Sequence, residues 1–390
     1  MAVKPGFKQS ENWVIPVNWE IQDIESLMLS VSSGRSLDKN KLGIYPVYGS
    51  TGILGYSDKY EYSGQAILIA RVGANAGKVN VVHGQYGVTD NTIIVKLSAK
   101  VCFDYIRRQL EALNINRLVF GSGQPLVTGT QIRELTIPLP PTLAEQESIA
   151  EALNDADALI ESLEQLIAKK HLIKQGVMQE LLTGRRRLPG FSGEWNYCVL
   201  GDLGDFLKGK GIKKNEVAPN GLPCIRYGEI YTHYNNYIKD FISFIPRDIS
   251  KNCQRIFKGD LLFTGSGETA EEIGKCVTFL EGEEAYAGGD IIILRTRNQE
   301  PLFLAYLLNH SSLSAQKIRM AQGDAIVHIS AQKLGRLRLH LPSRHEQVAI
   351  AEVIKNIDCE IDELIEKLKK INLLKQGMMQ ELLTGRIRLV

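Results

Sequence analysis

The chain has 390 residues, of which 44% are hydrophobic and 23% charged, the balance of an ordinary globular protein of two or more domains. Its 46 lysines and arginines nearly cancel 44 aspartates and glutamates, so the net charge of +2 excludes a polycation that binds nucleic acid through bulk charge alone. No apolar run approaches the about 20 residues that cross a bilayer, and no secretory signal begins the chain. We therefore expect a cytoplasmic protein with no membrane partner.

The first globular segment, residues 1–141, contains short β-branched or apolar runs between Gly, Asn and Asp residues. Such runs are typical of strands. The predicted strands cover residues 66–70, 79–82, 92–95 and 135–139, and one helix is predicted after Phe103.

A long helical segment, residues 142–188, follows. Thr142 and Glu145 have the spacing of a capping box, and Gly184 stands where a helix end favours positive φ. About 38 residues lie between these signals. The apolar positions of the helix repeat every 3.5 residues, at Ile149, Leu153, Ala156, Ile160, Leu163 and Ile167.

Residues 189–342 form a second globular segment with predicted strands at 261–264, 276–279, 291–294 and 337–341 and a helix after Pro301. Residues 343–390 form a second long helical segment with the same signals, a capping box from Ser343 to Glu346 and a terminal Gly385. Its heptad positions are Ile350, Ile354, Ile357, Ile361, Leu364 and Leu368.

The two helical segments are copies of each other. The sequence QGVMQELLTGRRRL at 175–188 recurs at 376–389 with 12 of 14 positions identical, and 23 of 44 positions agree between 145–188 and 346–389. A 3.5-residue period calls for a coiled-coil partner, and an internal pseudo two-fold axis would pair the two helices antiparallel. Intermolecular pairing into a homodimer is the alternative. We expect Gly176 and Gly377 to mark either a close backbone approach or a harmless kink.

The predicted fold class is therefore α+β, with two mixed α/β domains alternating with two long helices. Six scattered cysteines lack the CxxC spacing of a zinc site and predict reduced thiols. Neither Gly121-Ser-Gly123 nor Gly265-Ser-Gly267 completes a dinucleotide or phosphate-binding loop. Residues 271–275 superficially resemble a nuclease motif, but a solvated loop is the simpler interpretation. The chain is predicted to bind rather than to catalyse, and to hold no metal or cofactor itself.

Glycine-rich loops of both globular segments carry the local signal for nucleic acid, because lysines there can reach phosphates while Arg, Asn, Gln and Glu read base edges. For any single loop lysine, a solvated surface position is the alternative interpretation. The residues predicted to meet phosphates are Lys39, Lys41, Lys78, Lys208, Lys210, Lys213 and Lys214. The predicted base readers are Arg71, Asn75, Gln124, Arg226, Glu229, Ser266 and Glu268, with Tyr45 as an interleaved aromatic residue.

Two variable globular segments alternating with two near-identical helices resemble the specificity subunit of type I restriction-modification enzymes. The resemblance covers essentially the whole chain and rests on the proline-ended strands 135–141 and 337–342, the QGxMQELLTGRxRL helix ends, the tract YPVYGSTGILGY at 45–56, and GSGQPL at 121–126. The second globular segment departs from the first in its longer, more acidic loop at 264–274.

The resemblance implies that each globular segment is a target recognition domain for one half of a bipartite DNA sequence, and that the helices set the spacer. It also implies no catalysis by this chain. The expected partners are double-stranded DNA, two methyltransferase subunits that bring S-adenosylmethionine, and restriction subunits that use ATP and Mg²⁺. A coiled-coil scaffold that does not bind DNA is the rival hypothesis.

Overall fold

The computed structural model describes residues 5–10, 13–35, 43–119, 126–267, 269, 273–282, 284–321 and 327–389. The chain divides into two compact units. Unit 1 joins two separate stretches, Met1–Gln165 and Glu366–Val390, and unit 2 is the continuous stretch Leu166–Ile365 between them. Each unit therefore combines one globular segment with part of both long helices. The domain boundaries predicted at 141, 188 and 342 follow the repeat and remain an interpretation of the sequence.

Unit 1 is built on a four-stranded antiparallel sheet and a smaller four-stranded sheet that contains one parallel pair. Its strands are β1 Phe7–Ser10, β2 Trp13–Pro16, β3 Glu20–Asp23, β4 Met28–Ser33, β5 Tyr45–Gly49, β6 Gly52–Ser57, β7 Tyr62–Ser63, β8 Ala66–Ala70, β9 Val79–Val82, β10 Gln85–Val88, β11 Thr92–Leu97 and β12 Thr136–Leu139. Its short helices are α1 Ile24–Leu27, α2 Phe103–Ala112 and α3 Gly129–Arg133. The larger sheet has the order β4-β11-β8-β9 and the smaller β6-β5-β10-β7; β1 pairs with β2, and β3 with β12.

After the first long helix, α4 Leu143–Leu181, unit 2 repeats this plan. Its strands are β13 Asn196–Val199, β14 Gly204–Lys208, β15 Leu222–Ile225, β16 Tyr237–Ile238, β17 Ser243–Ile245, β18 Gln254–Ile256, β19 Leu261–Thr264, β20 Ser266–Gly267, β21 Cys276–Phe279, β22 Ala285–Ala287, β23 Ile291–Thr296, β24 Val327–His328 and β25 Arg338–Leu341. Its helices are α5 Tyr227–Thr232, α6 Arg247–Ser250, α7 Pro301–Asn309, α8 Ser311–Met320 and α9 Ala331–Gly335, before the second long helix, α10 Arg344–Leu382. The sheets have the orders β14-β23-β19-β21-β16 and β17-β15-β22-β18.

The α+β class and the alternation of globular and helical segments are confirmed. The predicted strands correspond to β8, β9, β11 and β12 in unit 1 and to β19, β21, β23 and β25 in unit 2, and the predicted helices to α2 and α7. The central strands of both main sheets are buried along their whole apolar runs, as at Ala66–Ala70 and Leu261–Thr264. This burial on both faces is why continuous apolar runs, rather than alternating ones, marked them in the sequence.

The two 39-residue helices pair antiparallel within each unit. In unit 2, Lys174 Nζ lies 2.5 Å from Asp358 Oδ1, and Lys170 pairs with Glu360. In unit 1, Lys375 pairs with Asp157. Residue numbers fall along one helix as they rise along the other, so the predicted intrachain antiparallel coiled coil is confirmed and the homodimer alternative is not needed.

The ion pairs also reproduce the duplication. Lys174 with Asp358 and Lys375 with Asp157 are the same pair displaced by 201 residues in each partner. Burial alone would raise the pKa of the Asp157 carboxyl, but hydrogen bonds from Lys375 and Arg108 lower it below its usual value. The duplication thus preserved charges that hold the helices together.

The capping boxes are only half correct. The hydroxyls of Thr142 and Ser343 accept hydrogen bonds from the backbone N–H of Glu145 and Glu346, as predicted, at 3.3 and 3.4 Å. The two carboxylates, each 1% exposed, do not bond back to the cap; Glu145 binds the guanidinium of Arg388, and Glu346 binds that of Arg187 at 2.5 and 2.6 Å. A buried carboxylate is stabilised more by a charged partner than by a neutral backbone N–H. The arginine that follows the end of one long helix therefore binds the glutamate at the start of the other.

The glycines of the helix repeat differ in role. Gly184 and Gly385 adopt φ of +69° and +70°, which confirms them as the left-handed ends of α4 and α10. Around Gly176 and Gly377, an added Cβ would have no described atom within 4 Å other than the neighbouring turns of its own helix, so the first alternative, a close backbone approach within the chain, is wrong.

The heptad positions divide between two surroundings. Near the start of each long helix they join the core of a globular segment, Ile149 and Leu153 in unit 1 and Ile350 and Ile354 in unit 2. Further along, Leu163 and Ile361 remain only 4% and 3% exposed, while Ala156, Ile160, Ile167, Ile357, Leu364 and Leu368 are half-buried. The seam therefore serves both helix pairing and attachment of the globular segments.

Candidate nucleic-acid interface

In unit 1, several loops converge at one end of the main sheet, around Arg71. The backbone N–H of Arg71 donates to Asn91 O at 2.9 Å, and its carbonyl accepts from Val127 N at 2.8 Å. Gly34 N donates to Thr92 O at 2.9 Å, and an added Cβ on Gly34 would lie 2.3 Å from Thr89 O. Two other chain segments therefore bond the Arg71 backbone, and a third, at Gly34, packs against the loop that contains Asn91; the Arg71 side chain is half-buried.

The hairpin loop between β8 and β9 carries Asn75 and Lys78. It is tightened by Gly73 and Gly77, which adopt φ of +79° and +88°, and Gly77 packs against the backbone at 115–116. Asn75 and Lys78 line a groove of about 410 Å³ together with residues 111 and 114–116, and Arg71 is outside its lining. The structure thus places the three predicted residues in one loop but not in one pocket.

The equivalent loops converge in unit 2 through the same backbone hydrogen bonds, but they carry different side chains. Gly209 N donates to Ile291 O at 2.8 Å, Gly265 N to Asp290 O at 2.7 Å, and Ile329 N to Gly265 O at 3.0 Å. These bonds repeat those of Gly34, Arg71 and Val127. Gly265 therefore occupies the position that holds Arg71 in unit 1.

A groove of about 380 Å³ beside this position is lined by Lys208, Ser266 and His328, among others. Ser266 is 8% exposed, and its Oγ lies 3.1 Å from Nδ1 of His328. His328 is exposed and was missed in the sequence, where the histidines are dispersed. His328 lies near Ser266 because β20 pairs with β24, and no local sequence pattern predicts the pairing of these two short strands.

At the start of α5, the half-buried Arg226 is hydrogen-bonded to the buried Glu229. Arg226 Nε donates to Glu229 Oε1 at 2.7 Å, Arg226 N donates to Oε2 at 3.0 Å, and Ser243 Oγ donates to Oε1 at 2.6 Å. Glu229 is 4% exposed, so its carboxylate is committed within the unit rather than open to a base. The neighbouring Cys224 thiol stays neutral, because burial raises its pKa to about 12. Glu229 thus orients Arg226 through its Nε, and within the described ranges the terminal guanidinium nitrogens of Arg226 make no hydrogen bond.

The remaining predicted residues occupy varied places. Lys210 is exposed beside the convergent loops, and its N–H donates to Ala287 O at 3.0 Å. Lys213 and Lys214 are exposed at the start of the short 3₁₀ segment Lys214–Glu216. Tyr45 packs edge-on against Tyr60 at 5.1 Å and lies at the end of β5 away from Gly49. Lys39, Lys41, Gln124 and Glu268 lie outside the described residues.

In each unit, the basic residues of the candidate interface are available to an anion. Within the described part of the chain, no carboxylate forms an ion pair with Arg71, Lys78, Lys208, Lys210, Lys213 or Lys214. Lysine and arginine heads without an acidic neighbour are suited to phosphate oxygens, since no internal salt bridge has to be broken. The same described ranges contain no cluster of three His, Cys, Asp or Glu residues suited to a metal and no helix able to span a membrane.

Comparison with known proteins gives one consistent answer. The sequence model of the family described as "Type I restriction modification DNA specificity domain" matches residues 16–169 and 192–376. The type I restriction enzyme MjaVIII specificity subunit of Methanocaldococcus jannaschii is 25% identical over 98% of this chain and 96% of its own length. The EcoprrI specificity subunit of Escherichia coli is 31% identical over 32% of this chain and 31% of its own length.

Solved structures share the fold. The specificity subunit crystal structure from Mycoplasma genitalium matches with a TM-score of 0.66 at 18% identity, over 97% of this chain and 98% of the other. A chain from a study of complex assembly and conformational transition of the type I restriction-modification system matches with a TM-score of 0.55 at 16% identity, over 96% and 99%.

Proposed function

The chain belongs to the family of type I restriction-modification DNA specificity proteins, and from that premise we propose which of its residues read DNA and what its helices do. Members of the family are DNA-recognition subunits without catalysis of their own, so the scaffold and nuclease hypotheses are set aside. Unit 1 and unit 2 each carry one target recognition domain, and each domain recognises one half of a bipartite target.

The observation that carries this assignment is that the two units, which share a backbone arrangement, have their arginines at different positions of it. Unit 1 has Arg71 where unit 2 has Gly265, while unit 2 presents Arg226 on a neighbouring segment. A guanidinium whose terminal nitrogens make no hydrogen bond to the part of the chain that the structure describes suits the bidentate contact to guanine O6 and N7. Because the arginine stands at a different position in each unit, the two domains prefer different bases although they share one fold.

The phosphate contacts fall to the exposed lysines that border these loops. They are Lys78 in unit 1 and Lys208, Lys210, Lys213 and Lys214 in unit 2, with Lys39 and Lys41 retained from the sequence. Asn75, Ser266, Gln124 and Glu268 remain proposed base readers and Tyr45 a proposed flanking contact. Glu229 is reassigned to positioning Arg226, because its carboxylate is only 4% exposed and three hydrogen bonds from within the unit already occupy most of its about four acceptor sites.

The paired helices supply the spacer and the docking surface for the methyltransferase subunits in this proposal. Their repeat presents the same exposed residues twice, as expected if one partner type binds two places on the chain. S-adenosylmethionine, ATP and Mg²⁺ belong to the partner subunits. The number of heptads between the recognition domains determines the number of unread base pairs between half-sites.

The decisive experiment co-expresses the chain with the adenine methyltransferase of its own system and maps methylated adenines across a host genome. A split motif with a fixed gap supports the proposal. Arg71→Ala should then remove or relax one half of that motif, at about 1 to 3 kcal/mol for a lost bidentate contact. Methylation no higher than with the methyltransferase alone, from a folded and associated complex, would refute the proposed function, and an unchanged motif in the Arg71→Ala variant would refute the assignment of Arg71.

A further inference from the structure

The small sheets of the two units define a second pair of equivalent positions. In unit 1, Val88 lies opposite Tyr48 in a parallel pair, and Thr89 N donates to Tyr48 O at 2.9 Å. In unit 2, Ala287 lies opposite Ile225 in the same kind of pair, and Gly288 N donates to Ile225 O at 2.9 Å. The residue after Tyr48 is Gly49 and the residue after Ile225 is Arg226. Gly49 is therefore the counterpart of the oriented arginine.

Leu54 occupies the space that a side chain on Gly49 would need. An added Cβ on Gly49 would lie 2.3 Å from Leu54 Cδ1. The register places Val47 opposite Gly55 and Tyr48 opposite Ile53, so Leu54 is the extra residue of a β-bulge. The bulge turns Leu54 over the position where unit 2 has its arginine.

The tip of this hairpin exposes apolar surface next to the candidate interface. Ile53 is 53% exposed and Leu54 is 39% exposed. The tip contacts the loop after β10, because Gly49 lies against Thr89, and the same loop holds the Arg71 backbone through Asn91. Large apolar side chains gathered on a surface mark a binding site more often than isolated ones do.

We propose that Ile53 and Leu54 contact bases of the half-site read by unit 1, by covering the C5-methyl group of a thymine. The inference rests on the proposed function and adds a base-contacting element to it. Duplex DNA is the occupant because the patch lies next to the loop of Arg71, which forms no ion pair with the described residues, and stands at the position where unit 2 has Arg226. The major groove distinguishes thymine by its methyl group, which is read by apolar contact. The two units thus present apolar and cationic chemistry at the same position of the fold.

The test uses the complex of the full chain with its methyltransferase and synthetic duplexes of the mapped target. Each thymine of either half-site is replaced in turn by uracil, which removes only the methyl group. We expect one replacement in the half-site of unit 1 to weaken binding about fourfold, the effect of losing one buried methyl group. The variant Ile53→Ala with Leu54→Ala should bind thymine and uracil duplexes equally, and Ile53→Ala alone should give an intermediate ratio.

Leu29→Ala is the matched control, since Leu29 is 73% exposed on β4 of the same unit and should keep the fourfold ratio. Equal binding of every uracil duplex by the unaltered complex overturns the inference, as does a double variant that retains the full thymine preference. A double variant that loses the methyltransferase while keeping its affinity for DNA also overturns it, in favour of a protein-docking patch. If the unaltered complex shows no split motif at all, the proposed function fails instead.

Discussion

Replacement of Lys317 by methionine should change how the stability of unit 2 depends on pH. Lys317 lies on α8, is 3% exposed, and donates from Nζ to Gly274 O at 2.9 Å. Burial lowers the pKa of its ammonium group from 10.5 to about 8, while the nearby Cys276 thiol stays neutral because burial raises its pKa. Since one pKa unit corresponds to about 1.4 kcal/mol, protonated Lys317 costs the folded unit about 3 kcal/mol.

The sign follows from proton binding. Between pH 8 and pH 10.5 the unfolded chain keeps the lysine proton and the folded chain releases it, so stability due to this residue rises with pH. From pH 7 to pH 10 the unaltered protein should gain about 2.5 kcal/mol relative to Lys317→Met. Methionine also leaves the Gly274 carbonyl without a donor, at about 1 to 2 kcal/mol. The variant should therefore be the more stable protein at pH 7 and the less stable one at pH 10.

Chemical denaturation across this pH range, combined with hydrogen exchange of the α8 amides, measures the free energy of unit 2 specifically. Lys258→Met, at an exposed position of the same unit, is the control and should leave the pH profile unchanged. Parallel pH profiles for Lys317→Met and the unaltered protein would show that the ammonium group is not desolvated as its burial indicates.

Three further outcomes are expected. Glu229→Gln should broaden the bases accepted in the half-site of unit 2 and weaken binding about 5- to 30-fold, the loss of one charge-assisted hydrogen bond, while Ser243→Ala should keep the motif; identical methylation maps would remove the positioning role of Glu229. Arg388→Met should destabilise unit 1 by about 3 kcal/mol by leaving the Glu145 carboxylate buried and unpaired, and adding Glu145→Gln should restore part of it; hydrogen exchange of α2 checks this, and no recovery in the double variant would contradict the pairing. Deleting one heptad from both long helices should shorten the gap of the methylated motif, and a folded, active variant with the original gap would contradict the proposed spacer.

The sequence predicted the elements whose physics is local. Continuous apolar runs marked the buried central strands such as β8 and β19, and the 3.5-residue period with a terminal glycine marked both long helices. The small sheets escaped prediction because their parallel pairs, such as β5 with β10, join short strands about 40 residues apart. The carboxylate of Glu346 was assigned to its own helix because its real partner, Arg187, is 159 residues away.

For the candidate site, residue type indicated the chemistry, and long-range pairing decided its use. Arg226 and Glu229 were both predicted readers, since both can hydrogen-bond bases. Only the fold places Ser243 beside Glu229 and turns that carboxylate into a support. Gly49 and Arg226 are equivalent only because the strands before them pair in the same register in the two units. The residue types near these positions do not determine that register.

The composition of unit 1 has a consequence for the order of events during synthesis. Its core includes Leu382 and Leu383, and Gln109 Nε2 donates to Leu383 O at 2.8 Å, so residues from α10 complete a body begun near the start of the chain. Unit 2 is continuous from 166 to 365, so all its residues are synthesised before residue 366. At about 5 to 20 residues per second, residues 1–165 wait roughly 10 to 40 s on the ribosome for their last packing partners. The recognition domain encoded first is thus the last to be completed, and its exposed core in that interval is a natural substrate for chaperones.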